Sequence, residues 1–157
     1  MTTKRTLLAL LGAAALLLVA SGASAQTHID IGDIGEICGI IINCPTGCIC
    51  GTTCDDTLNG SDNVQDCILG FGGNDRIFGK GENDPRLEGG GGNDHVYGDS
   101  GEDTLFGQAG NDNLFGGSES DCLDGGAGTN NLDGGSGAND SCANGAITDC
   151  ETAVPNC

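Results

Sequence analysis

Residues 89–133 read GGGGNDHVY GDSGEDTLF GQAGNDNLF GGSESDCLD GGAGTNNLD, successive nine-residue units running from Gly89 to Asp133. Each opens with glycine, and most carry a second glycine three residues later. The sixth place holds Asp94, Asp103, Asp112 and Asp121, then Asn130. The eighth holds one aliphatic residue: Val96, Leu105, Leu114, Leu123 and Leu132. Upstream the same rhythm gives Asp75 and Asp84 with Ile77 and Leu87, and looser copies extend it from about Gly51 to Asp140. A fixed period of this kind specifies a stacked repeat and not a single globular core.

The unit has an internal logic. Its first six residues are turn material, where glycine permits a left-handed backbone and close approach of neighbouring chains. Its last three, such as Thr104-Leu105-Phe106, predict one very short strand whose middle residue faces one way and whose flanks face the other. Such a strand has no stability alone. Stacked on its equivalents it forms a parallel sheet, and two sheets back to back bury the aliphatic column. One coil then takes two units, and units eighteen residues apart become neighbours. The expected fold is all-β. One aliphatic side chain per unit buries too little to offset the ordering of nine residues. Metal ions and disulfides are the available supplements.

The composition agrees with that need. The chain has 157 residues with 30 Gly, 10 Cys, no Trp and a formal net charge of −18. Acidity of this degree disfavours nucleic acid and anionic membranes as partners and favours cations. Lys4 and Arg5 precede an apolar run from Leu7 to Ala20, followed by Ala23-Ser24-Ala25, the pattern of a cleavable export signal over residues 1–25. Its removal leaves no membrane span in the mature chain. The expected location is therefore secreted or extracellular, with periplasm or cell surface as alternatives. In that oxidising space Cys38, Cys44, Cys48, Cys50, Cys54, Cys67, Cys122, Cys142, Cys150 and Cys157 are disulfide candidates, with pairs the sequence does not assign. The predicted organisation is a Cys-rich head at 26–54, the repeat array at 55–140 and a Cys-containing cap at 141–157. Ile40, Ile41 and Ile42 could add a strand to the head.

The units resemble the nonapeptide GGxGxDxUx, with U a large aliphatic, of RTX (hemolysin-type) calcium-binding proteins. The resemblance covers about ninety residues. It implies a parallel β-roll with Ca²⁺ held between turns on the same side. The metal candidates it marks are Asp75, Asp84, Asp94, Asp103, Asp112 and Asp121, with turn carbonyls among which Gly89, Gly91, Gly98 and Gly107 are named. The chemistry points the same way. Calcium takes six to eight oxygen ligands in flexible geometry, whereas magnesium demands a tight octahedron. Zinc prefers His or Cys, which these turns lack. With two units per coil, Asp75, Asp94 and Asp112 stack on one edge, and Asp84, Asp103 and Asp121 on the other. The cation would turn two rows of like charge into cross-links.

Several units depart from the pattern. The turn at Gly51–Asp56 keeps one glycine, and that at Gly60–Asp66 has an extra residue, which makes Asp66 a poor ligand candidate. Pro85 inserts after Asp84, Glu119 replaces a fourth-place glycine, Asn130 replaces Asp, and an extra residue precedes Asp140. Unlike many RTX proteins, the chain has an N-terminal leader and many cysteines. Phe78, Tyr97, Phe106 and Phe115 all occupy ninth places. They serve as outward strand-to-strand stacking, or as an aromatic stripe for a glycan in an adhesin-like module. His28 and His95 have no catalytic neighbour set, and no HExxH, GxSxG or GxxxxGK[ST] motif occurs. The two dozen residues between leader and array are too few for a catalytic domain. The expected function is non-enzymatic calcium binding in a structural or interaction role.

Overall fold

The computed structural model describes residues 44–150 and the strand at 152–153. The predicted leader, the Ile40–Ile42 strand, His28, Cys38 and Cys157 lie outside the described residues. Among the described residues every regular element is a strand, and no helix is long and apolar enough to cross a membrane.

The strands are β1 (Ile49–Cys50), β2 (Thr57–Asn59), β3 (Cys67–Gly72), β4 (Arg76–Lys80), β5 (Arg86–Gly91), β6 (His95–Ser100) and β7 (Thr104–Ala109). They continue as β8 (Asn113–Ser118), β9 (Cys122–Asp124), β10 (Asn131–Ser136), β11 (Ser141–Ala143), β12 (Ala146–Thr148) and β13 (Thr152–Ala153). All odd strands form one seven-stranded sheet in order, and all even strands form a six-stranded sheet. Every pairing is parallel. Consecutive units therefore alternate between sheets, and each coil comprises two units, which is the predicted parallel β-roll.

Register is carried by the eighth-place residues. Leu58, Ile77, Val96, Leu114 and Leu132 pair in sequence across the even sheet. Ile49, Ile68, Leu87, Leu105, Leu123 and Cys142 do so across the odd sheet. The columns meet between the sheets, and from Ile68 to Leu132 every member is fully buried. A one-residue slip would turn a whole column to solvent, so the register is strongly specified.

Three features differ from the sequence expectation. Most strands have five or six residues instead of three, because the first three residues of the following turn continue the ladder, as in His95–Ser100. Pro85, exposed, is absorbed between Asp84 and β5, so Leu87 keeps its place in the buried column. Pairing also extends beyond 55–140, through β1 at one end and β11–β13 at the other. At the C-terminal end the coil shortens: Leu132 pairs with Ile147, and Cys142 with Ala153.

Disulfides gather toward the ends. Cys44–Cys50 and Cys48–Cys67 tie the first coil, and Cys142–Cys150 ties the last. Cys54 and Cys122 are also disulfide-bonded, and no free cysteine occurs among the described residues.

Candidate metal centre

The sixth-place residues form two ladders, one on each edge of the roll. In each, a backbone N–H donates to the carboxylate of the coil that follows. On the first edge Asp56 donates to Asp75 Oδ1 (2.8 Å), Asp75 to Asp94 Oδ1 (2.7 Å), Asp94 to Asp112 Oδ1 (2.9 Å) and Asp112 to Asn130 Oδ1 (2.9 Å). On the second, Asp66 donates to Asp84 Oδ1 (2.7 Å), Asp84 to Asp103 Oδ1 (2.7 Å), Asp103 to Asp121 Oδ1 (2.9 Å) and Asp121 to Asp140 Oδ1 (2.8 Å). The two predicted stacks are present and each is longer than predicted. Asp66, preceded by an extra residue, stands in line in the ladder, since the insertion lies in the loop before it.

The second oxygen is the informative one. Oδ2 of Asp75, Asp84, Asp94, Asp103, Asp112 and Asp121 is buried and has no hydrogen-bond partner. A buried carboxylate oxygen without a donor is a costly arrangement and calls for an explanation. Each of these oxygens faces the opening glycine of its own turn. A Cβ built on Gly98 would lie 2.5 Å from Asp103 Oδ2 and 2.5 Å from the Gly116 carbonyl oxygen of the next coil. On Gly107 it would lie 2.4 Å from Asp112 Oδ2 and 2.7 Å from the Gly125 oxygen. Gly70, Gly79, Gly89 and Gly116 hold the same place beside Asp75, Asp84, Asp94 and Asp121. Glycine is needed there because any side chain would fill the space between carboxylate and carbonyl. Of the named glycines, Gly89, Gly98 and Gly107 belong to this arrangement. Gly91, named for its carbonyl, stands elsewhere in the turn, and a Cβ built on it would meet only the Phe71 oxygen, at 3.8 Å.

The turns stack tightly as well. Gly110, with φ +140°, would place a Cβ 1.6 Å from the Gly92 carbonyl oxygen. Asp99 and Gln108 hold left-handed φ values of 74° and 73° at second places, where the side chain points outward. On the first edge, fifth-place Asn side chains form a further ladder: Asn74 Oδ1 accepts from Asn93 N–H at 2.8 Å, and Asn93 Oδ1 from Asn111 N–H at 2.8 Å.

The electrostatics follow from burial. Desolvation pushes the carboxyls of Asp75, Asp94 and Asp103 up to about 6 and that of Asp121 to about 7, opposed by the accepted backbone N–H. Neighbouring carboxylates in the same row raise them further, as Asp112 and Asp75 do for Asp94. Asp84 and Asp112 are also raised, again mainly by burial. Such groups carry charge at neutral pH only at a cost that a cation would remove.

Among the described residues no three His, Cys, Asp or Glu side chains come together as a metal-binding group. A cation here would draw most of its shell from backbone carbonyls, with carboxylates as a minority. That donor set is all oxygen, which suits calcium and not zinc. The residues present therefore fit the ion.

The aromatic row runs along the even sheet. Phe78, Tyr97 and Phe115 stack with ring centroids 5.0 and 4.9 Å apart and planes within 8°. Tyr97 has a ring on each face, and the row gives way to Asn59 at one end and Asp133 at the other. This stacking supports the sheet from strand to strand.

Comparison with known families gives one match and two blanks. The model of the RTX calcium-binding nonapeptide repeat matches with 4 copies, over residues 66–84, 86–114 and 106–140. No match was found among curated proteins or among solved structures. The repeat array of this chain belongs to the RTX calcium-binding nonapeptide family.

Proposed function

We propose that this protein is an exported calcium-binding β-roll, non-enzymatic, with a structural or interaction role outside the cytoplasm. The observation that carries the reading is the row of buried Oδ2 atoms on Asp75, Asp84, Asp94, Asp103, Asp112 and Asp121, each without a donor and each beside an opening glycine. Bound calcium would supply positive charge and cross-link successive coils. The chain's own contribution is preorganisation. Each Oδ1 is held by a backbone N–H, which fixes the carboxylate plane, and the glycines keep the space beside Oδ2 clear of side chains. The metal ligands we assign are Asp75, Asp84, Asp94, Asp103, Asp112 and Asp121, with turn carbonyls completing the shell. The disulfides support an oxidising location.

The test is a calcium titration of the oxidised chain, read by far-UV circular dichroism and calorimetry, with magnesium as control. A cooperative gain of β signal with calcium, and little with magnesium, is expected. An ordered chain that binds no calcium would overturn the proposal and leave the disulfides as the sole support of the fold.

A further inference from the structure

Three sixth-place residues depart from the pattern of bare Oδ2 atoms, and in each the protein supplies its own donor. Asp56 Oδ2 accepts from Thr52 N–H at 2.6 Å and from Thr52 Oγ1 at 2.8 Å. Asp66 Oδ2 accepts from Ser61 N–H at 2.6 Å and from Ser61 Oγ at 3.1 Å. Thr52 and Ser61 occupy second places, where the inner turns carry residues such as Phe71, Asp99 and Gln108 in left-handed conformation. At Asn130 the oxygen itself is replaced. Its Oδ1 keeps the ladder bond from Asp112, while Nδ2 donates to the carbonyls of Asn144 at 3.0 Å and Gly126 at 3.4 Å.

The surrounding frame is otherwise the same. A Cβ built on Gly51 would meet the Gly70 oxygen at 2.6 Å and Asp56 Oδ2 at 2.9 Å. On Gly60 it would meet the Gly79 oxygen at 2.4 Å and Asp66 Oδ2 at 2.6 Å. On Gly125 it would meet the Asn144 oxygen at 2.5 Å and Asn130 Nδ2 at 2.7 Å. In the inner turns two oxygens converge without a donor. At Asp56 and Asp66 N–H and O–H groups already satisfy the carboxylate oxygen, and at Asn130 an N–H satisfies the carbonyl. An N–H directed at a carbonyl also repels a cation, because an amide nitrogen is only a donor.

We propose that Thr52, Ser61 and Asn130 are built-in plugs, so that their three places take no calcium while the inner Asp places do. The proposal rests on the calcium reading above. Its physical reason lies in position. Thr52 and Ser61 belong to the first coil, and Asn130 stands just before the coil shortens at the pairing of Leu132 with Ile147. At these ends of the ladders an oxygen left without an ion would be orphaned. An internal donor removes the penalty without an ion. Three of the four ladder ends are thereby satisfied by hydrogen bonds whose integrity is independent of calcium.

Ion number decides the matter, measured by native mass spectrometry and by calorimetric titration with calcium alone on the full oxidised chain. Asn130→Asp restores the carboxylate and should raise the count by about one ion. Asp94→Asn installs a plug at an inner place. It should lower the count by about one ion and raise the melting temperature of the calcium-free protein, because a donor replaces a bare oxygen. An Asn130→Asp protein that folds yet binds the wild-type number overturns the proposal. Should that variant not fold, the Asp94→Asn arm decides: an unchanged count, or a lower calcium-free melting temperature, overturns it. A wild-type chain that binds no calcium overturns the function itself, whereas calcium binding by wild type with no response to either variant overturns only the plugs.

Discussion

Lowering pH should weaken calcium binding by a margin the buried carboxyls set. Protons and calcium compete for the same oxygens, so the apparent affinity of a place falls by 1 + 10^(pKa − pH). With Asp75, Asp94 and Asp103 at about 6 and Asp121 at about 7, the loss at pH 5 is about tenfold for each of the first three and about a hundredfold for Asp121. At pH 8 the same factors are close to one. The calcium-free protein should show the opposite trend. A carboxyl whose folded pKa is raised binds its proton more tightly folded than unfolded. It contributes stability that is complete below the ordinary value of 3.8 and is lost as pH rises through about 6 to 7. The calcium-free roll should therefore melt at a higher temperature at pH 4.5 than at pH 8, and the calcium-loaded roll at a lower one. Calorimetric titrations at pH 5 and 8, repeated in two buffers of different ionisation heat, test both the affinity change and the release of protons. Equal affinity at the two pH values with no proton release would refute the placement of these carboxylates at the ion.

Other outcomes follow from packing. Leu105→Ala, in the middle of the buried odd column, should cost about 2–5 kcal/mol in a denaturant titration with calcium present. Gly98→Ala pushes a methyl between Asp103 Oδ2 and the Gly116 oxygen, and should weaken calcium binding in the circular dichroism titration far more than Gly91→Ala, whose open face is clear. Tyr97→Ala breaks two ring stacks and should cost about 1–3 kcal/mol, roughly twice Phe115→Ala, with ion number unchanged in both. Opening the Cys142–Cys150 bridge by Cys150→Ser should lower stability by about 2–3 kcal/mol, and hydrogen exchange should rise at β11 and β12 before it rises at β6.

The period alone was sufficient to place the roll. Nine residues with one aliphatic at the eighth place admit two alternating sheets, and the observed partners of Leu105 and Leu114 are the ones that spacing requires. Charge also read correctly, because Asp at every sixth place has to stack if the coils do. Strand length did not read correctly. The glycines of the first three places look like turn material one residue at a time, yet their backbones extend the ladder once a neighbouring coil offers partners. The insertions are accommodated for a related reason. Pro85 and the extra residue before Asp66 are taken up in exposed turn backbone, and the paired columns on either side hold their places.

Local periodicity thus determined the repeat, the coil of two units, the buried column and the six carboxylates, because each depends only on spacing along the chain. The distinction between bare and plugged places depends on which donor lies within 3.1 Å of which oxygen. Thr52 and Ser61 read as ordinary polar turn residues, and Asn130 as a conservative exchange for Asp. Only the stacked fold brings the Asn144 carbonyl to the Asn130 amide, and leaves the inner carboxylates with a buried oxygen that has no donor. Hydrogen-bond satisfaction is a property of neighbours in space, and it separates turns that look alike in one dimension.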